Sequence, residues 1–138
     1  MNRYFKEVMD AHELIQNWLG NSAADDKVCE KLLARFSPAY SMMTTGGALL
    51  NIKQLNSFFR TQRGARPGLN IEITDLQIVA ESEGGAIVTY KERQKICEQA
   101  ATLRFSTVIF ELNQDGSVIW RHLHETSMYL DSLLFSLG

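Results

Sequence analysis

The segment Trp120-Arg-His-Leu-His-Glu-Thr126 carries two histidines two positions apart. In an extended strand, residues two apart share a face and lie about 6.5–7 Å from each other. That spacing puts Trp120, His122, His124 and Thr126 on one side, with Arg121, Leu123 and Glu125 on the other. Imidazole titrates near neutrality, so such a pair can serve as acid and base or as two metal ligands. The only other histidine is His12 and no acidic ligand cluster is evident, so no metal or other cofactor is expected. The plainer alternative is a pair hydrogen-bonded within the sheet or at a subunit contact. Tyr90, Glu92 and Gln94 form a second set on one strand face. A glutamate beside Val88 and Tyr90 is costly to bury unpaired, and Arg104 is the expected partner, because it offers a forked donor to a carboxylate. Tyr90, Glu92, His122 and His124 are therefore the candidate catalytic residues. The bland alternative for Glu92 and Arg104 is a cross-strand ion pair on a half-solvated face. Glu125 has no visible partner.

Other motifs carry less. Arg60, Arg63 and Arg66 surround a Gly-Pro loop and have the charge to hold an anion, but no phosphate-binding glycine pattern accompanies them, and a solvated basic loop is commoner. Gly46-Gly47 reads as a turn. No serine sits in a GxSxG elbow, and Cys29 and Cys97 have no CxxC partner, so both read as free thiols. Trp18, Tyr40 and Met42 are the candidates to line a pocket together with Arg104 and Trp120, methionine being deformable enough to suit an apolar ligand.

These residues must be held by particular elements. Residues 3–19 show a helical stripe of Phe5, Val8, Met9, His12, Ile15, Trp18 and Leu19, stopped by Gly20-Asn21-Ser22. A second helix is expected from about Asp25 up to Ser37-Pro38, since the residue before proline leaves the helical region. A short strand over 39–45, a helix over 52–61 and a loop over 62–68 follow. Four long strand runs are expected over 70–80, 86–95, 101–112 and 117–127. At ten or eleven residues they exceed the usual five or six, and long strands in a small sheet twist and coil. The terminal 129–137 reads as a turn or docking helix. In 101–112 one face shows Leu103, Phe105, Thr107 and Ile109, and the other Arg104, Ser106, Val108 and Phe110. A sheet with apolar residues on both faces needs cover on both. The helices supply one cover, and a homodimer through the outer face supplies the other.

The chain has 138 residues with 45% apolar and 22% charged, the range of one globular domain, 1–138. A net charge of −2 gives no electrostatic case for nucleic acid or an anionic membrane as partner. The charged N-terminus is neither a signal peptide nor a membrane span, so a cytoplasmic protein is expected.

The order helix, helix, short strand, short helix, four long strands resembles the nuclear transport factor 2-like, or cystatin-like, superfamily. The likeness is closest to its small bacterial SnoaL-like and ketosteroid isomerase-like branch of unknown function. It rests on Phe36-Ser-Pro-Ala-Tyr-Ser-Met-Met-Thr-Thr-Gly-Gly47, Arg63-Gly-Ala-Arg-Pro-Gly-Leu-Asn-Ile-Glu-Ile73, Tyr90-Lys-Glu-Arg-Gln94 and Trp120–Thr126. The resemblance implies an α+β fold with a curved antiparallel sheet forming an open cone, an apolar pocket at its mouth, and frequent dimers. Ketosteroid isomerase chemistry is not carried over. Residues 39–45 offer Tyr40 but no carboxylate base, and 101–112 offers Arg104 and Ser106 where a pocket aspartate is wanted. Three functions follow as expectations: a homodimeric protein binding a small apolar or amphipathic metabolite, a small acid–base enzyme (isomerase, dehydratase or cyclase), or a dimerisation module without catalysis.

Overall fold

The computed structural model describes residues 1–128, so the expected terminal turn or helix at 129–137 lies outside the described residues. Asn2 opens α1 (Arg3–Gly20) by accepting the Phe5 N–H at 2.8 Å. Asp25 does the same for Lys27 at the start of α2 (Asp26–Leu33). This helix ends earlier than the Ser37-Pro38 signal implied. The Ala34 and Arg35 N–H groups fold back on the Glu30 and Leu32 carbonyls, and the chain is already extended at Phe36, where β1 (Phe36–Met43) begins. The reason is tertiary. Phe36 is recruited into the sheet opposite Trp120, with its ring 4.8 Å from Tyr40 and 5.9 Å from Trp120.

A three-residue strand that periodicity did not reveal, β2 (Leu49–Asn51), pairs with the end of β1 across the Gly46-Gly47 turn. Asn51 and Gln54 then form a reciprocal capping box at the start of α3 (Ile52–Thr61). Four long strands complete the described chain: β3 (Leu69–Ser82), β4 (Gly85–Ile96), β5 (Thr102–Leu112) and β6 (Val118–Met128). They form an antiparallel meander. β1 joins its edge parallel to β6, giving the order β2-β1-β6-β5-β4-β3.

Bulges curl this sheet. β3 carries two extra residues against β4, one of them next to Asp75 with φ +56, and each bulge adds local twist and bend. A further bulge interrupts β6 at Arg121. α1 lies on the concave side and closes the narrow end, where Tyr4 stacks on Phe110 at 5.8 Å. Buried Glu7 there accepts from Trp120 Nε1 (2.9 Å) and Arg35 Nη1 (2.5 Å). No helix of the described residues is long and apolar enough to cross a membrane.

The basic loop after α3 is anchored by its backbone. The Gly64 N–H donates to the Trp18 carbonyl (2.9 Å) and the Arg66 N–H to that of Leu19 (2.8 Å), which satisfies two orphan acceptors at the end of α1. Gly64 has φ +65, and a Cβ there would lie 2.5–2.7 Å from the Ser22 backbone and Cβ. Gly64→Ala is therefore expected to destabilise by about 1–3 kcal/mol, measured by urea unfolding. Gly47→Ala, with φ +84 but open space around it, sets the cost of backbone conformation alone. Equal losses in the two variants would refute the close-packed loop.

Candidate functional site

Alternation along β4 turns Val88, Tyr90 and Glu92 inward, all buried. The register sets Tyr90 opposite Ser106 and Glu92 opposite Arg104, and Ser106 in turn opposite Glu125. A polar band therefore crosses the concave face beyond an apolar one of Val88, Val108 and Leu123. Facing the band are Ala11, Ile15 and Leu19 of α1, Leu55, Phe58 and Phe59 of α3, and Tyr40, Met42 and Leu50 of β1 and β2. Between them lies a cavity of about 220 Å³, apolar on the helical side and polar on the sheet side.

Glu92 is 3% exposed and is held by two groups. His12 Nε2 lies 3.0 Å from Oε1, and Gln94 Nε2 donates to Oε2 at 2.5 Å. Arg104, the partner expected from sequence, is its cross-strand neighbour but donates instead to Glu125 at 3.0 Å. Ser106 Oγ donates to the second Glu125 oxygen at 3.3 Å. Geometry explains the exchange: α1 delivers an imidazole to Glu92 from above the sheet, which frees the guanidinium for the carboxylate on the other flanking strand.

His12 Nδ1 lies 2.7 Å from the Val8 carbonyl, so both ring nitrogens face acceptors. Only the imidazolium can donate to both. Burial works against that charge, but Glu92, through its charge and its hydrogen bond, and then the Val8 carbonyl outweigh it and raise the His12 pKa. Burial likewise opposes an ionised Glu92, yet His12 and then Gln94 hold its carboxyl down at about 2. Glu125 moves the other way. Burial raises it, Arg104 offsets this in part, and Glu92 adds repulsion. Burial also raises both tyrosines, Tyr40 with help from Glu125 and Tyr90 with help from Glu92. The Tyr90 hydroxyl has no hydrogen-bond partner among the described residues.

The sequence candidates divide accordingly. Glu92, Tyr40, Met42, Arg104 and Trp120 line the cavity. Tyr90 is fully buried beside it, edge-on to His12 at 5.4 Å. Trp18 is not in the lining; its Nε1 donates to the Phe59 carbonyl (2.7 Å) and ties α1 to α3.

The histidine pair needs correction. Simple alternation put Trp120, His122 and His124 on one face, but pairing steps from Ile109–His122 to Phe110–Trp120 and leaves Arg121 as the extra residue of a bulge. One extra residue reverses the pleat. Trp120, Leu123 and Glu125 therefore turn into the cavity, while His122 and His124 lie on the convex side. There the Ser41 hydroxyl is 2.7 Å from His122 Nδ1, and burial, then His124 and Arg121, lower the His122 pKa. His12, Glu125, Gln94 and Arg66 also line the cavity; the sequence singled out each of them without assigning it to a pocket. The signal for His12 was a titratable ring in the apolar stripe of α1, one turn after Val8.

No family model matches the chain, and no curated protein does. Solved structures do. A nuclear transport factor 2-like protein of unknown function from Pseudomonas aeruginosa is 35% identical, aligned over 91% of this chain and 98% of its own, with a TM-score of 0.86. A nuclear transport factor 2-like protein from Cytophaga hutchinsonii is 12% identical over 93% of this chain and 100% of its own, with a TM-score of 0.67. The association domain of calcium/calmodulin-dependent kinase II from C. elegans is 13% identical over 90% and 95%, with a TM-score of 0.68. The last two share the fold alone.

The buried ion pair makes stability depend on pH from both sides. A raised histidine pKa contributes stability that is complete below about 6.5, its unfolded value, and is lost as pH rises through the folded one. The depressed Glu92 contributes stability that is complete above its ordinary value of 4.5 and is lost as pH falls toward about 2. Glu92→Gln leaves a buried imidazolium unpaired and is expected to cost about 3–5 kcal/mol at pH 6. In that variant the His12 ring should titrate below 6.5, as followed by its NMR shifts. An unchanged His12 titration would refute the pairing.

Proposed function

The chain belongs to the nuclear transport factor 2-like superfamily, and from its cavity we propose that it binds a small amphipathic molecule and self-associates through the outer face of its sheet. The observation that carries the first part is the two-sided chamber. Aliphatic and aromatic side chains form one wall, and a fixed set of charged groups forms the other, which is the usual make-up of a ligand site. Its 220 Å³ sits below the about 300–1,000 Å³ typical of drug-sized ligands. An apolar cavity of about 150 Å³ suffices for benzene, so a single ring with a short substituent matches the space.

Self-association is supported by the convex face, where Phe105 and Ile109 are each 39% exposed. Leu103 and Ile87 flank them as outward-facing residues of β5 and β4. His122 and His124 share this face, and as polar groups of a dimer contact they fit the plainest of their three sequence readings. The likeness to association domains of other proteins agrees with this arrangement.

A second reading, acid–base catalysis, is favoured by one observation. Glu92 is locked ionised while Glu125, in the same cavity, is shifted toward holding a proton. Two carboxyl groups driven apart in this way are the usual basis for separate acid and base roles. In this reading Glu125 moves the proton, Arg104 orients it, and His12 and Glu92 keep the local charge fixed.

Two measurements check these readings. Single-ring amphiphiles are expected to raise the melting temperature with dose and to shift the Met42 and Leu55 methyl resonances, and Met42→Trp, which fills the chamber, should abolish both effects. Methyl signals that never move would sink the binding reading. Turnover of a bound probe, lost in Glu125→Gln, would promote the catalytic one. Light scattering at tens of micromolar should report a dimer that Phe105→Glu together with Ile109→Glu converts to monomer. A monomeric wild-type chain would refute the outer-face contact.

A further inference from the structure

Five charged side chains reach the chamber: His12, Arg66, Glu92, Arg104 and Glu125. Four are used up in pairs, His12 with Glu92 and Arg104 with Glu125, each at 3.0 Å. Arg66 has no carboxylate partner among the described residues. Its Nη1 donates to Gln94 Oε1 at 2.9 Å, and Gln94 passes the polarity on to Glu92. A guanidinium has five N–H donors, so most of them remain to be filled. The chamber thus carries one cation without a carboxylate partner among the described residues, at its solvent end.

The position of that charge is fixed in advance. The Arg66 backbone N–H is bonded to Leu19, and Gly64 two residues earlier is bonded to Trp18. Arg63 stacks over the Trp18 ring at 4.8 Å and pairs with Asp26, which holds the same loop from its other side. The side chain of Arg66 is exposed, so it meets solvent at the entrance while Gln94 tethers its tip to the polar wall. A cation held at the mouth of a chamber whose other charged groups are already paired is suited to the head of an amphipathic anion.

We propose that Arg66 is the anchor for the carboxylate of a small ligand whose single-ring-sized apolar body occupies the chamber against Leu55, Phe59 and Met42. This rests on the binding reading above and adds the charge of the ligand to it. Planar carboxylates match the guanidinium fork, and Gln94 keeps one edge of that fork occupied, leaving the other for the ligand.

The test uses the full chain at pH 7 with two probes of matched shape, 3-phenylpropanoate and 3-phenylpropan-1-ol, titrated calorimetrically and by methyl NMR. The acid is expected to bind at least about tenfold more tightly than the alcohol, the scale of one charge-assisted hydrogen bond. Arg66→Gln should erase that difference while leaving the alcohol's affinity as it was, and Arg66→Lys should keep part of it. The side chain is exposed, and unchanged melting of both variants confirms that they fold. Equal binding of acid and alcohol, indifferent to Arg66→Gln, overturns the anion anchor and leaves the pocket reading standing. Binding of neither probe overturns both.

Discussion

A carboxylate placed on the concave face of a curled sheet has to be neutralised by whatever covers that face. Here the cover is α1, and the neutralising group is His12. The imidazolium spans the gap between helix and sheet, with one nitrogen on the helix backbone and the other on Glu92. Several features follow from that bond. It fixes how α1 sits above β4, because a shift of one helical turn would leave two buried charges unpaired, at a cost of several kcal/mol. It releases Arg104 to serve Glu125. It also keeps Glu92 ionised close to Glu125, whose pKa burial raises and the Glu92 charge raises further.

The second constraint is the sheet's curvature. Long strands alone would twist, but the bulges in β3 and at Arg121 of β6 localise the bend. The β6 bulge also reassigns side chains. Residues before it and after it that would have stood on opposite faces come to share the cavity, so Trp120 closes the apolar end while Leu123 and Glu125 continue the same wall. The price of that arrangement is an Arg121 left out of the β5–β6 ladder, whose guanidinium ties β6 to the Ala39 carbonyl at 2.6 Å and lies 3.7 Å from Glu111. The convex face keeps both histidines and a row of half-exposed apolar residues.

The chamber that results is ordered by charge. Its apolar wall comes from three separate segments, α1, α3 and the β1–β2 hairpin, and its polar wall from adjacent residues of one sheet. The carboxylates of the polar wall and the β1–β2 part of the apolar wall are held by the backbone ladder of the sheet, and the helical part of the apolar wall by side-chain packing. A ligand would therefore meet fixed polar groups on one side and adaptable ones, Met42 and Phe58 among them, on the other. In the binding role proposed above, that division separates what recognises the head of a molecule from what accommodates its body.

Sequence alone determined the three helices, the four long strands and their order, though not the short β2. The helical stripe of residues 3–19, the helix over 52–61 and the four long β runs are local signals, set by periodicity and turn chemistry, and the structure places those strands and helices close to those limits. It also marked Glu92 as a carboxylate needing a partner, because burial cost can be read from the apolar residues beside it. Which partner it finds could not be read. His12 lies 80 positions away, and only the packing of α1 over β4 brings them together. The fate of His122 and His124 was equally beyond reach, since both faces of β6 carry apolar residues and a one-residue bulge, which leaves no trace in composition, decides the parity. Local chemistry wrote the strands; the non-local register of β5 against β6, with the helix laid across it, chose which side chains meet in the hollow.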